Sequence, residues 1–204
     1  MPSPSPLQLG VHYHIYNRGT NREDVFLEAR NYHLFLNRYT RYIEPVAFTY
    51  AYCLLKNHFH FLLRTKTPEE QQQGAAQTAR VLDSFRVLAP SQQFSNLFNS
   101  YAKSFNRAYG RTGSLFEHPF HRVAVTTDEK FAHLITYIHR NPERHAFVDD
   151  FQDWPYSSYH AILSQQPTRI MRETVLDWFD GRVGFMDAHG VSAEVESIAG
   201  LVLE

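Results

Sequence analysis

With 204 residues and a hydrophobic content of 43%, the chain can bury one good core, and its net charge of −1 argues against a uniformly basic nucleic-acid coat. One cysteine, Cys53, excludes an internal disulfide and fits a reducing cytoplasm. No apolar run approaches a membrane span, so no membrane partner is expected, and Met1-Pro-Ser-Pro-Ser-Pro6 lacks the charged and apolar regions of a signal peptide.

In chain order, residues 1–10 read as a flexible leader. Val11 to Tyr16 alternates as a first strand, and Asn17-Arg18-Gly19 turns out of it. Asp24 to Ile43 has the pattern of a long helix. Val46 to Leu55 and His58 to Arg64 form a hairpin-like pair broken near Lys56-Asn57. From Pro68 to Ala76 a polar, glutamine-rich stretch begins another helix, and Ala89-Pro90-Ser91 interrupts the helical pattern before it resumes near Gln93. Leu115 to Val125 is a fourth strand. A helix follows from Asp128, with Thr127 or Asp128 as its cap and Asp128 and Glu129 suiting its positive end, and it should stop near Asn141 because Pro142 follows. Trp154 to Leu163 packs back. Together these give an α+β, ferredoxin-like β-α-β-β-α-β-α antiparallel sheet with helices on one face, over residues 11–163. Residues 164–204 form a C-terminal extension, with a short amphipathic helix at Thr174 to Phe179 and a loop at Gly181 to Gly190. It could cover a site, mediate self-association or cap the core.

Chemistry concentrates in two segments. Side chains alternate along a strand, so His58 and His60 share a face while Phe59 and Phe61 take the other. Two such imidazoles can hold one divalent ion, although a half-exposed strand can also carry histidines that merely meet solvent. Phe131, Leu134, Ile135 and Ile138 recur at helical spacing, and Tyr137 and Asn141, four apart, share a flank of that apolar stripe. A tyrosine there can pack, or it can serve a site beside the helix. His12 and His14 make a second H-x-H in the first strand, structural or contacting DNA.

A third segment offsets the net charge. Between Tyr101 and Arg122, Lys103, Arg107, Arg111 and Arg122 face Glu117 alone, interleaved with aromatics that include Tyr101 and Phe105. Cations beside aromatic rings are the usual means of gripping unpaired strands. A solvated helix face is the competing reading.

The runs Tyr52-Cys-Leu-Leu-Lys-Asn-His-Phe-His-Phe-Leu-Leu63, Gly110-Arg-Thr-Gly-Ser-Leu-Phe116, Tyr137-Ile-His-Arg-Asn-Pro142 and Trp154-Pro-Tyr-Ser-Ser-Tyr159 resemble the single-tyrosine HUH transposases, specifically the REP-associated branch, over residues 10 to 163. The resemblance implies a nucleophilic Tyr137, metal ligands His58, His60 and Asn141, and a 5′-phosphotyrosine intermediate on single-stranded or hairpin DNA. It implies Mg²⁺ or Mn²⁺ as cofactor and a monomer or homodimer. A nucleic-acid-binding protein of the same fold without cleavage, or a metal-dependent nuclease using water, are the other readings of the same residues.

Overall fold

The computed structural model describes residues 5–77 and 85–190. Among these, β1 (His12–Arg18), β2 (Ala47–Leu54), β3 (His58–Thr65) and β4 (His121–Ala124) form one antiparallel sheet in the order β2-β3-β1-β4. The helices are α1 (Ala29–Tyr42), α2 (Pro68–Gln77), α3 (Pro90–Tyr109), α4 (Asp128–Arg144), α5 (Tyr159–Leu163), α6 (Arg172–Trp178) and α7 (Arg182–Gly190). No described helix is long and apolar enough to cross a membrane.

The alternation of β3 divides the molecule. Phe59 and Phe61, both fully buried, point toward α1 and α3, where Phe59 meets Phe98 and Phe61 stacks on Tyr39 at 4.3 Å. His58 and His60 point the other way, toward α4. The α+β class and the antiparallel ferredoxin-like order agree with expectation, and the crossover helices α1 and α3 do share one face. The expectation of helices on one face alone is corrected by α4, which covers the opposite face. The sheet has an apolar stripe on both sides, because His14, Leu62, Ala51 and Cys53 are as buried as the phenylalanines, and each stripe needs a cover.

Several boundaries moved for local reasons. Asp24 to Glu28 is not helical: the amides of Val25 and Phe26 both donate to the Lys56 carbonyl, and α1 begins only after a reciprocal cap between Glu28 and Asn31. Pro90 opens α3 at its first turn and does not interrupt it, a position where its missing N–H costs nothing. The fourth strand shrinks to His121–Ala124 because Leu115 and Phe116 pair with the β1 turn. Thr127 makes no side-chain cap to α4, and the side chains of Asp128 and Glu129 lie outside the described set.

Two C-terminal expectations are settled differently. Gly181 to Gly190 is helix α7 in place of a loop, its Phe185 fully buried. α6 brings Trp178 against Phe131 of α4 at 4.5 Å, so the described part of this region caps the core, while residues 191–204 lie outside the described residues, as do Met1 to Pro4 of the leader. The Trp154–Tyr159 motif seals the β2 edge. Trp154 Nε1 donates to the Leu54 carbonyl at 2.8 Å, and Tyr156 accepts from the Leu54 amide and stacks on Tyr32.

Candidate active site

A cavity of about 370 Å³ opens on the α4 face, lined by Tyr16, Asn17, Arg18, Arg22, Asn57, His58, His60, His121, Tyr137 and His145. It has no acidic lining residue. Strand β3 supplies the two histidines, β1 and its turn supply Tyr16 to Arg22, and α4 supplies Tyr137 and His145.

α4 does not stop at Asn141. It runs on through Pro142 to Arg144, with His145 as its C-cap, forgoing only the bond that a proline nitrogen cannot donate. Its last turn is held by the Asn141 side-chain amide, which donates to the Tyr137 carbonyl at 2.8 Å, and by the His145 amide, which donates to the Asn141 carbonyl at 3.0 Å. Tyr137, Asn141 and His145 thus form one stripe at four-residue spacing. Its ends both meet β3: the Tyr137 ring stands perpendicular to His60 at 5.7 Å, and the His145 ring perpendicular to His58 at 4.8 Å. Asn141 lies between them on the same flank.

The histidines are prepared as neutral donors. His58 Nδ1 donates to Asn57 Oδ1 at 2.7 Å, because an amide oxygen can only accept, which leaves the lone pair on Nε2. Burial, reinforced by the neighbouring His145 and Arg18, pushes His58 down to about 3. His60 is held well below the usual imidazole range by burial first and then by His14, His58 and His145. Asn141 is fully buried, and its Oδ1 has no hydrogen-bond partner. A buried amide oxygen without a partner is costly and needs an explanation. Two neutral imidazoles and an unsatisfied carbonyl-type oxygen fit a divalent ion. Among the described residues no group of three or more His, Cys, Asp or Glu could hold a metal, so a site here depends on the amide oxygen as third ligand.

The expected DNA-gripping residues are not brought to this cavity. Tyr101 and Phe105 are core residues of α3, fully shut between α1 and Phe116, and the Tyr101 hydroxyl donates to the Val25 carbonyl at 2.6 Å. Neither ring can stack on a base; the helical period that placed them among cations also places them on the core side. Lys103 and Arg107 are exposed on the outer side of α3, in the layer behind the sheet. Arg111 pairs with Glu23, and Arg122 lies over the Phe120 ring at 3.9 Å, also on the α3 face. The cavity has other cations: Arg18, paired with Glu117 at 2.9 Å, and Arg22 at its rim, and Arg144 over the Tyr137 ring at 5.1 Å. Sequence reading missed these and His145. Arg18 was legible as the same-face continuation of His12, His14 and Tyr16, but Arg144 and His145 fell beyond the helix end expected from Pro142.

No protein-family model matches the chain. A Haemophilus influenzae protein named "Putative REP-associated tyrosine transposase" is 30% identical to it over 133 residues, spanning 65% of this chain and 70% of that protein. The chain belongs to the REP-associated tyrosine transposase family. The REP-associated tyrosine transposase of Escherichia coli is 30% identical over 72 residues, 35% of this chain and 43% of that protein. The fold is similar to the solved structure of a REP-associated tyrosine transposase bound to a REP hairpin, with a TM-score of 0.54 at 19% identity over 82% of this chain and 88% of that one.

Proposed function

We propose that the protein cuts and rejoins single-stranded DNA beside a hairpin, passing through a covalent bond between Tyr137 and a 5′ phosphate. The observation that carries this reading is the meeting of Tyr137 with His58 and His60 in one acid-free cavity, one helical turn from a buried amide oxygen with no partner. Membership of the family, and a relative of the same fold bound to a REP hairpin, support hairpin DNA as the substrate class.

His58 Nε2, His60 Nε2 and Asn141 Oδ1 are the atoms that would hold Mg²⁺ or Mn²⁺, and the imidazole pair suits Mn²⁺ at least as well. When bound, the ion supplies positive charge to the non-bridging phosphate oxygens. All three ligands are uncharged, so none of that charge is cancelled. Arg18 and Arg22 attract the strand to the rim. Tyr137, fixed between His60 and Arg144, presents a phenol oxygen that forms a bond to phosphorus as the bond to the 3′ oxygen breaks; the phenol proton is released and the departing oxygen takes one up. Because the phosphotyrosine keeps the energy of the phosphodiester, the reverse step with another 3′ hydroxyl rejoins DNA.

The test is incubation with a labelled hairpin oligonucleotide bearing a single-stranded flank, with Mn²⁺, resolved on a denaturing gel. A protein–DNA adduct that disappears in Tyr137→Phe is the expected result. Cleavage without adduct would assign a water nucleophile, and tight binding without cleavage would assign a binding role alone.

A further inference from the structure

The first strand carries its own histidine pair, His12-x-His14, and His14 faces the candidate site. It is completely buried in β1, yet its Nε2 lies 3.0 Å from His60 Nδ1, with the two rings 17° from parallel. The register explains the meeting. Tyr16 stands opposite His60 and His14 opposite Leu62, so His14 reaches His60 along the diagonal of the same face. A buried aliphatic residue would fill this place without a polar group to satisfy, so packing alone does not account for an imidazole.

We infer that His14 is a positioning residue that holds His60 in the tautomer protonated on Nδ1, leaving the Nε2 lone pair directed at the cavity. This rests on the reading of His58 and His60 as metal ligands. A ring nitrogen that binds a metal must carry no proton, and which nitrogen is free is decided by the hydrogen bond at the other. Asn57 does this for His58 with an amide oxygen that can only accept. For His60 the acceptor is an imidazole nitrogen, so the two ligands are set by two different partners. Rotation of the His60 ring is blocked by Tyr16, stacked at 5.7 Å, and by Tyr137.

Two variants separate orientation from bulk. His14→Gln retains an acceptor near the Nε2 position; His14→Leu retains volume and removes it. Mn²⁺ titration by calorimetry should give a dissociation constant about 10- to 100-fold weaker for His14→Leu, near the wild-type value for His14→Gln, and no binding for His60→Ala. Imidazole ¹⁵N shifts of the metal-free protein should report His60 protonated on Nδ1 in the wild type and in His14→Gln, and a mixture of tautomers in His14→Leu. Wild-type Mn²⁺ affinity in a folded His14→Leu would overturn the inference, as would a wild-type His60 protonated on Nε2. Should His14→Leu not fold, the ¹⁵N measurement on wild type and His14→Gln decides. Absence of any Mn²⁺ binding by the wild type would instead sink the metal assignment, and the tautomer measurement would still judge His14.

Discussion

At the scale of single residues, the site is a set of polar atoms whose burial is unexplained by folding alone. Tyr137→Phe removes one oxygen from a ring that packs on His60 and under Arg144, so the variant should stay folded, within about 1.5 kcal/mol of wild type, and form no covalent adduct, read on a denaturing gel. Asn141 gives a sharper expectation. Its Oδ1 makes no hydrogen bond while its Nδ2 makes one, so in Asn141→Ala the loss of the bond is offset by removal of an unsatisfied group. The metal-free variant should therefore differ from wild type by no more than about 1 kcal/mol. Its melting temperature should also stop rising with added Mn²⁺, whereas that of the wild type should climb with metal concentration. A rise equal to that of the wild type would remove Asn141 from the ligand set.

At the scale of elements, the turn after β1 ties three motifs together. The Gly19 amide donates to the Asn57 carbonyl at 2.8 Å, Thr20 donates to the Leu115 carbonyl, and Gly19 bridges Phe116. Here the Gly110–Phe116 motif backs the turn that carries Arg18 and Arg22. Gly19 has an ordinary negative φ, yet a Cβ there would lie 2.0 Å from the Glu23 carbonyl oxygen. Gly19→Ala should thus cost about 1–3 kcal/mol, measured by urea unfolding, through displacement of backbone that cannot yield cheaply. Because the same turn holds Asn57 against His58, DNA cleavage should fall further than the lost stability explains. An unchanged midpoint would show that the turn relaxes freely.

At the scale of the whole molecule, α4 is clamped between the sheet and the C-terminal helices by neutral polar groups. Ser158 Oγ donates to His139 Nε2 at 2.7 Å, His139 Nδ1 donates to His189 Nε2 at 2.8 Å, and His189 Nδ1 donates to the Phe185 carbonyl at 2.7 Å. Each imidazole nitrogen that accepts in this chain, Nε2 of His139 and of His189, requires an uncharged ring. Burial first, and then Arg140, lower His189 to about 4, despite the opposing bond to Phe185. An unfolded histidine titrates near 6.5, so below that pH the unfolded chain binds a proton that the folded one refuses. Stability present above pH 6.5 should be lost as pH falls toward 4, by about 3 kcal/mol from this residue. Urea melts across that range should show the decline, and His189→Gln should flatten it; an equal slope in the variant would place the acid sensitivity elsewhere. Electrostatics on the other side of α4 can be read in the same way. Arg18→Gln with Arg22→Gln should lower affinity for single-stranded DNA and flatten log affinity against log salt by about one to two units. A similar pair at Lys103 and Arg107 lies behind the sheet, and its effect should be confined to substrates with a duplex stem long enough to reach round.

The period of two in His58-Phe59-His60-Phe61 determines which side chains share a face, and a period near 3.6 determines that Tyr137 and Asn141 lie on one flank. Both are properties of a local backbone, legible from the sequence alone, and with four ordered motifs they were enough for the fold class and the core of the site. What local periodicity cannot decide is which face is covered by what. The aromatics Tyr101 and Phe105 alternate with cations as a DNA-binding surface would, and only the packing of α3 on α1 turned them inward. The pairing of His14 with His60 is separated by 46 residues and exists only because β1 lies beside β3 in this register. His145 reached His58 because the tertiary contacts of α4 outweighed the one hydrogen bond lost at Pro142, a balance between a local cost and non-local burial that no window of sequence contains.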